Sequence, residues 1–80
     1  GEEFLVILPN TGLEKAFLVA ERMRKRISQL ELEDKLQVTI CGGLKTYEGE
    51  TAMVLLNQAD ESLYLAKERG RNQIVKTTLK

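Results

Sequence analysis

Apolar positions along the chain fall into blocks whose period changes from one block to the next. Phe4-Leu5-Val6-Ile7-Leu8 is a continuous apolar run closed by Pro9-Asn10. Such a run, bounded by a turn signal, predicts a strand covered on both faces. Leu13, Ala16, Phe17, Ala20, Met23, Ile27 and Leu30 then recur every three or four residues, which is one stripe of an amphipathic helix. Thr11 and Glu14 have the spacing of a capping box, so this helix is expected to start with Thr11 as its N-cap. Its other face carries Arg22, Lys25 and Arg26, with Glu21 among them.

A charged connection over 31–35 leads to Leu36-Gln37-Val38-Thr39-Ile40, which alternates as a strand does and passes into Cys41-Gly42-Gly43-Leu44. Paired glycines weaken a strand and point to a bulge, or to close approach by another backbone or a ligand. Residues 47–50 read as a loop. Thr51 is placed to cap a second helix, with Leu55, Leu56, Ala59, Leu63, Tyr64 and Ala66 as its buried side. Lys67 and Arg69 occupy the last turn, where cations suit the helix dipole, and Gly70 is a natural residue to follow the C-cap. Gln73-Ile74-Val75 is a short final strand, and 76–80 a loose tail.

The order strand, helix, strand, helix, strand predicts an α/β (α+β) fold with helices packed on a single sheet. So few elements give little core in a chain of 80 residues. The first strand would have trouble finding neighbours on both edges, and an exposed apolar edge invites association with another chain. The expectation is that more strands lie upstream.

Composition narrows the chemistry. Hydrophobic residues at 42% and charged residues at 30% fit a soluble globular protein. Twelve basic residues balance twelve acidic ones, which offers no overall attraction for nucleic acid or anionic lipid. There is no histidine, so Ser-His and Cys-His dyads and the usual zinc sites are excluded. Cys41 is the single cysteine, which rules out an internal disulfide and fits an intracellular setting. No apolar stretch approaches a membrane span. Catalysis would have to run on carboxylates, lysines, arginines and a bound metal.

One stretch has the chemistry for that. Gly1-Glu2-Glu3 places two carboxylates beside a glycine at the lip of the first predicted strand. Carboxylates are oxygen ligands that Mg²⁺ accepts, usually one or two of them completed by water and substrate phosphates. Taken alone, the same residues read more readily as two solvated acids at a chain end, because short acidic pairs are common.

These stretches together resemble the GGDEF family, the catalytic domains of diguanylate cyclases. Gly1-Glu2-Glu3-Phe4 is similar to the signature loop in its GGEEF form, entered at the second glycine. Ala59-Asp60-Glu61-Ser62-Leu63-Tyr64-Leu65-Ala66-Lys67-Glu68-Arg69-Gly70-Arg71-Asn72 follows the family pattern AD-x-x-LY-x-AK-x-x-GRN. Val38-Thr39-Ile40-Cys41-Gly42-Gly43-Leu44 is similar to the family's VT-(I/V)-S-x-G-(V/I) strand, with Cys41 where serine is common. Lys45 stands where a small residue is usual and reads as a surface change.

The resemblance implies a nucleotidyl-cyclase-like palm with helices on a mainly antiparallel sheet. It implies condensation of two GTP into cyclic di-GMP, with Mg²⁺ or Mn²⁺ as cofactor, by a homodimer whose domains each hold one GTP. Residues 1–75 would be the C-terminal half of such a domain. The first metal-binding aspartate, the phosphate loop, the guanine-reading residues and the R-x-x-D product site would lie upstream. Alone, the chain is expected to be inactive. The setting implied is the bacterial cytoplasm, with other domains free to anchor the full-length protein, and with no nucleic acid or membrane contact from this segment. A degenerate GGDEF domain, acting as a nucleotide-binding or dimerising regulatory module, is the alternative.

By the same resemblance Glu2 is catalytic and a metal ligand, Glu3 is a second metal contact, and Gly1 belongs to the loop beside the nucleotide. Lys67 and Arg71 are implied to bind GTP phosphates. They are four residues apart, and would share a face if the helix continued past Gly70. Asp60 is expected to bond backbone or an arginine near 70–72, Asn72 to serve in a turn, Tyr64 to lie in the core, and Cys41 to be a small buried hydrophobe. The cluster Arg22, Arg24, Lys25 and Arg26 reads as a solvated face.

Overall fold

Two helices and two short strands make up the fold in the computed structural model, which describes residues 3–77. Helix α1 spans Leu13–Ser28 and α2 spans Ala52–Glu68. Strands β1 (Gly42–Leu44) and β2 (Ile74–Lys76) pair, and a short 3₁₀ turn at Glu33–Lys35 lies between α1 and β1. Both helices pack on the strand pair.

The strands run parallel, with Gly42 opposite Ile74, Gly43 opposite Val75 and Leu44 opposite Lys76. This corrects the antiparallel expectation for the described strands. Parallel strands need a crossover, usually a helix, and the 17 residues of α2 provide it. The ladder continues past both ends, from Gly42 N–H to the Gln73 carbonyl (3.0 Å) and from Thr77 N–H to the Leu44 carbonyl (2.7 Å). Lys76 and Thr77, the head of the expected tail, therefore take part in the pairing, and 78–80 lie outside the described residues.

The paired glycines have a clear cause. A Cβ added to Gly43 would lie 2.1 Å from the Ala59 carbonyl oxygen and 2.4 Å from the Leu63 nitrogen, so the α2 backbone sits directly on β1. Only glycine permits that approach. Ala66, Ala16 and Val75 form the buried apolar core, joined by Ser62, whose hydroxyl is hydrogen-bonded to that of Thr77. The inward face of α2 runs through Leu55, Ala59, Ser62, Leu63 and Ala66, at three- and four-residue steps. Leu56 and Tyr64 each lie one residue, about 100°, off that face. Tyr64 is accordingly 62% exposed, against the expectation of a core tyrosine.

Thr51 caps α2 as expected, its hydroxyl accepting from Val54 N–H at 3.3 Å. Helix α1 differs. Its N-cap is Gly12, because the Thr11 hydroxyl instead donates to the Pro9 carbonyl (2.8 Å) and closes the preceding turn. The capping box does not form.

The two longer predicted strands are the main departure. Residues 4–8 form no strand, and 36–40 have no regular structure before β1 begins at Gly42. A strand exists only where a neighbour takes its hydrogen bonds, and no described segment pairs with either run. Phe4 is 85% and Ile7 74% exposed.

Candidate active site

The acidic start of the chain and the end of α2 meet. Glu3 Oε2 lies 3.2 Å from Lys67 Nζ, joining residues 64 apart in sequence. Both groups are partly exposed, so their attraction is worth at most about 1 kcal/mol. A phosphate, which carries more charge, competes readily at that strength. Gly1 and Glu2 lie outside the described residues. Among the described residues no three His, Cys, Asp or Glu side chains gather as a metal cage.

Arg71 stands one turn further on, beyond the helix. Gly70, at φ +108°, ends α2, with its N–H donating to the Lys67 carbonyl (3.4 Å) and the Arg71 N–H to the Ala66 carbonyl (2.8 Å). This is a Schellman motif. The helix stops at Glu68, so the four-residue spacing does not place Lys67 and Arg71 on one helical face. Arg71 (φ 63°) and Asn72 (φ 48°) continue in the left-handed region. Non-glycine residues pay about 1 kcal/mol or more there, asparagine least.

That turn is held by side chains both local and distant. The Gln73 side-chain amide donates to the carbonyls of Arg69 (3.0 Å) and Arg71 (3.1 Å). Arg24, from α1, donates through Nη1 to Asn72 Oδ1 (2.9 Å) and to the Asn72 carbonyl (3.4 Å). Its Nε and Nη2 are both 2.8 Å from the two carboxylate oxygens of Glu21. The hydrogen bond from Arg24 holds the Glu21 carboxyl below its usual value, and the same bond raises Arg24. Sequence reasoning assigned Arg24 to a solvated face. The Glu21–Arg24 spacing was the one available signal, and the contact with Asn72, 48 residues away, has no local signature. Asn72 is a turn residue as expected. Asp60 is exposed, and no hydrogen bond joins it to the 70–72 turn.

Lys45 also departs from expectation. Its side chain is 5% exposed and its ammonium donates to the Thr46 carbonyl, to Glu48 (3.1 Å) and to Glu50 (2.9 Å). The Lys45 bond, then the backbone N–H groups of Glu48 and Glu50, push Glu50 down to about 2. The cluster closes the loop after β1, far in role from the solvated lysine expected. A separate open groove of about 330 Å³, lined by Phe17, Leu65, Arg69 and residues 73–76, contains none of the predicted site residues.

Comparison with known proteins places this geometry in context. The family model for the diguanylate cyclase GGDEF domain matches residues 1–73. The chain is similar to the response regulator PleD of Caulobacter vibrioides, 43% identical over 82 residues that cover 94% of this chain and 18% of that protein. Diguanylate cyclase A of Treponema denticola is 39% identical over 79 residues, covering 92% of this chain and 21% of that one. The chain thus spans about a fifth of the length of these curated relatives. Among solved structures, the active GGEEF domain of a diguanylate cyclase from Vibrio cholerae superposes with a TM-score of 0.80 at 29% identity. That match takes in 91% of this chain and 49% of the other.

Proposed function

The chain belongs to the GGDEF family, and from that premise we propose that it supplies the signature-loop and phosphate-binding part of a diguanylate cyclase domain. The substrate is GTP and the product cyclic di-GMP. In each of two equivalent steps a ribose 3′-hydroxyl attacks an α-phosphate. A new O–P bond forms, the bond to pyrophosphate breaks, and the hydroxyl proton is lost. Two domains face each other as a homodimer, each holding one GTP.

The observation that supports this reading most directly is the 3.2 Å contact between Glu3 and Lys67. It brings Glu3 and Lys67 together, and a metal–triphosphate would need carboxylate and cation side by side. Phosphoryl transfer of this kind depends on positioning and charge neutralisation rather than on a histidine base, which the chain lacks. Lys67 serves as a mobile point charge for phosphate oxygens, and Arg71 as a planar fork for bidentate contact. The donor chemistry fits a hard divalent cation, since Glu2 and Glu3 offer the one or two carboxylates that Mg²⁺ takes beside substrate phosphates. When bound, Mg²⁺ or Mn²⁺ neutralises phosphate charge and acidifies the attacking hydroxyl. Gly1, by family resemblance, belongs to the loop beside the nucleotide. No helix among the described residues is long and apolar enough to cross a membrane.

The test uses the full-length protein. Glu2→Gln should abolish cyclic di-GMP formation from GTP while the circular dichroism spectrum stays unchanged, and undiminished turnover would remove Glu2 from catalysis. If the wild-type protein binds GTP and never turns it over, the regulatory-module reading replaces the enzyme.

A further inference from the structure

The turn that carries Arg71 is held only in part by its own residues. Arg71 and Asn72 are both left-handed, a conformation that side-chain-bearing residues keep only where their surroundings impose it. The Schellman bonds fix the N–H groups of Gly70 and Arg71, and the Gln73 amide holds the carbonyls of Arg69 and Arg71. Beyond them, a side chain from α1 takes over. Arg24 Nη1 reaches Asn72 at both its side-chain oxygen (2.9 Å) and its carbonyl (3.4 Å).

Arg24 is itself aimed. Glu21 grips Nε and Nη2 at 2.8 Å each, a two-point contact that leaves the guanidinium one orientation and directs Nη1 at Asn72. The two side chains are 15% and 22% exposed, so salt screens this pair less than a surface one. A guanidinium committed in this way is not free to take a phosphate as its main partner. Its contribution is to shape the residue next to Arg71.

We infer that Arg24, held by Glu21, is a positioning residue that fixes the Gly70–Asn72 turn and so presents Arg71 to the nucleotide phosphates. The inference rests on the proposed role of Arg71 in binding GTP. Lysine cannot replace arginine here, because it lacks the fork that contacts Glu21 and Asn72 at once.

The experiment measures binding of a non-hydrolysable GTP analogue to the full-length protein carrying Arg24→Gln, Arg71→Ala, or both. Arg71→Ala should weaken binding roughly tenfold, as expected for loss of a charge-assisted phosphate contact. Arg24→Gln should weaken it by a smaller factor, and the double variant should be no worse than Arg71→Ala alone. Arg24→Lys should behave as Arg24→Gln does. Independent, multiplying losses in the double variant would overturn the positioning role while leaving Arg71 as a phosphate ligand. Restored affinity in Arg24→Lys would overturn it too, since charge alone would then suffice. If Arg71→Ala binds as well as the wild type, the phosphate reading fails and this inference fails with it. Should Arg24→Gln not fold, Glu21→Gln keeps Arg24 but frees its orientation. It should weaken binding in the Arg71 background of the wild type and have no effect once Arg71 is alanine; an equal effect in both would overturn the proposal.

Discussion

Ile74–Lys76 and Phe4–Leu8 are both short runs rich in apolar residues, and they meet opposite fates. Val75 is buried between β1 and the helices, and the ladder hydrogen bonds around it are taken. Phe4, Leu5, Val6 and Ile7 stand exposed, with no described strand paired to them. The difference is one of neighbours rather than of residue type. β2 follows α2 directly, and a helical crossover of 17 residues delivers it alongside β1. The run at 4–8 is followed by a turn at Pro9–Asn10 and by α1, which leads away from it without returning a strand to its edge.

The comparison predicts that the β1–α2–β2 unit is intolerant of change and the 4–8 run indifferent to it. The largest effect belongs to Gly43→Ala, whose new Cβ meets α2 backbone atoms that cannot swing aside. It should cost about 3 kcal/mol, read as a shift of the denaturant midpoint, since overpacking against backbone is at the upper end of such changes. A neutral outcome would show that α2 does not rest on β1. Gly70→Ala comes next. Its φ of +108° strains any side chain, and a loss of about 1 kcal/mol in thermal unfolding is expected.

The loop after β1 should carry an acid limit. Glu50 sits at about 2 in the folded protein against 4.5 ordinarily, a depressed carboxylate. Its contribution is present in full above pH 4.5 and is lost as pH falls from there towards 2. A titration of the Glu50 carboxyl by NMR should show that low midpoint, and Lys45→Met should move it back towards the ordinary range. Smallest of all is Val6→Lys. In this chain it should change stability by no more than about 0.5 kcal/mol, as for other exposed positions. A larger loss would mean that the 4–8 run has found a partner strand, and the contrast with β2 would disappear.

Legibility followed the range of the interactions. The α2 cap at Thr51 and the left-handed stop at Gly70 were readable because each depends on residues within one or two turns, whereas the α1 stripe was readable only in part, with Ala16 buried but Met23 and Leu30 exposed. The close approach behind Gly42-Gly43 was foreshadowed by the glycines, though not which backbone would make it. Tyr64 was misplaced because a wide apolar pattern does not say which hundred-degree sector of the helix turns inward. Lys45 was misplaced because its partners, Glu48 and Glu50, are brought round by a loop whose shape turns on Gly49 at φ +93°.

The same division applies to the candidate active site. Residue order alone determined the motifs, the helices and the absence of histidine chemistry, because periodicity and composition are properties of the chain itself. Only the tertiary structure decided that Glu3 lies against Lys67, that Arg71 stands beyond the helix, and that Arg24 grips its neighbour. It also decided which apolar runs became strands. A helix satisfies its backbone hydrogen bonds within itself, whereas a strand or a long-range ion pair needs a partner that only the folded chain can bring.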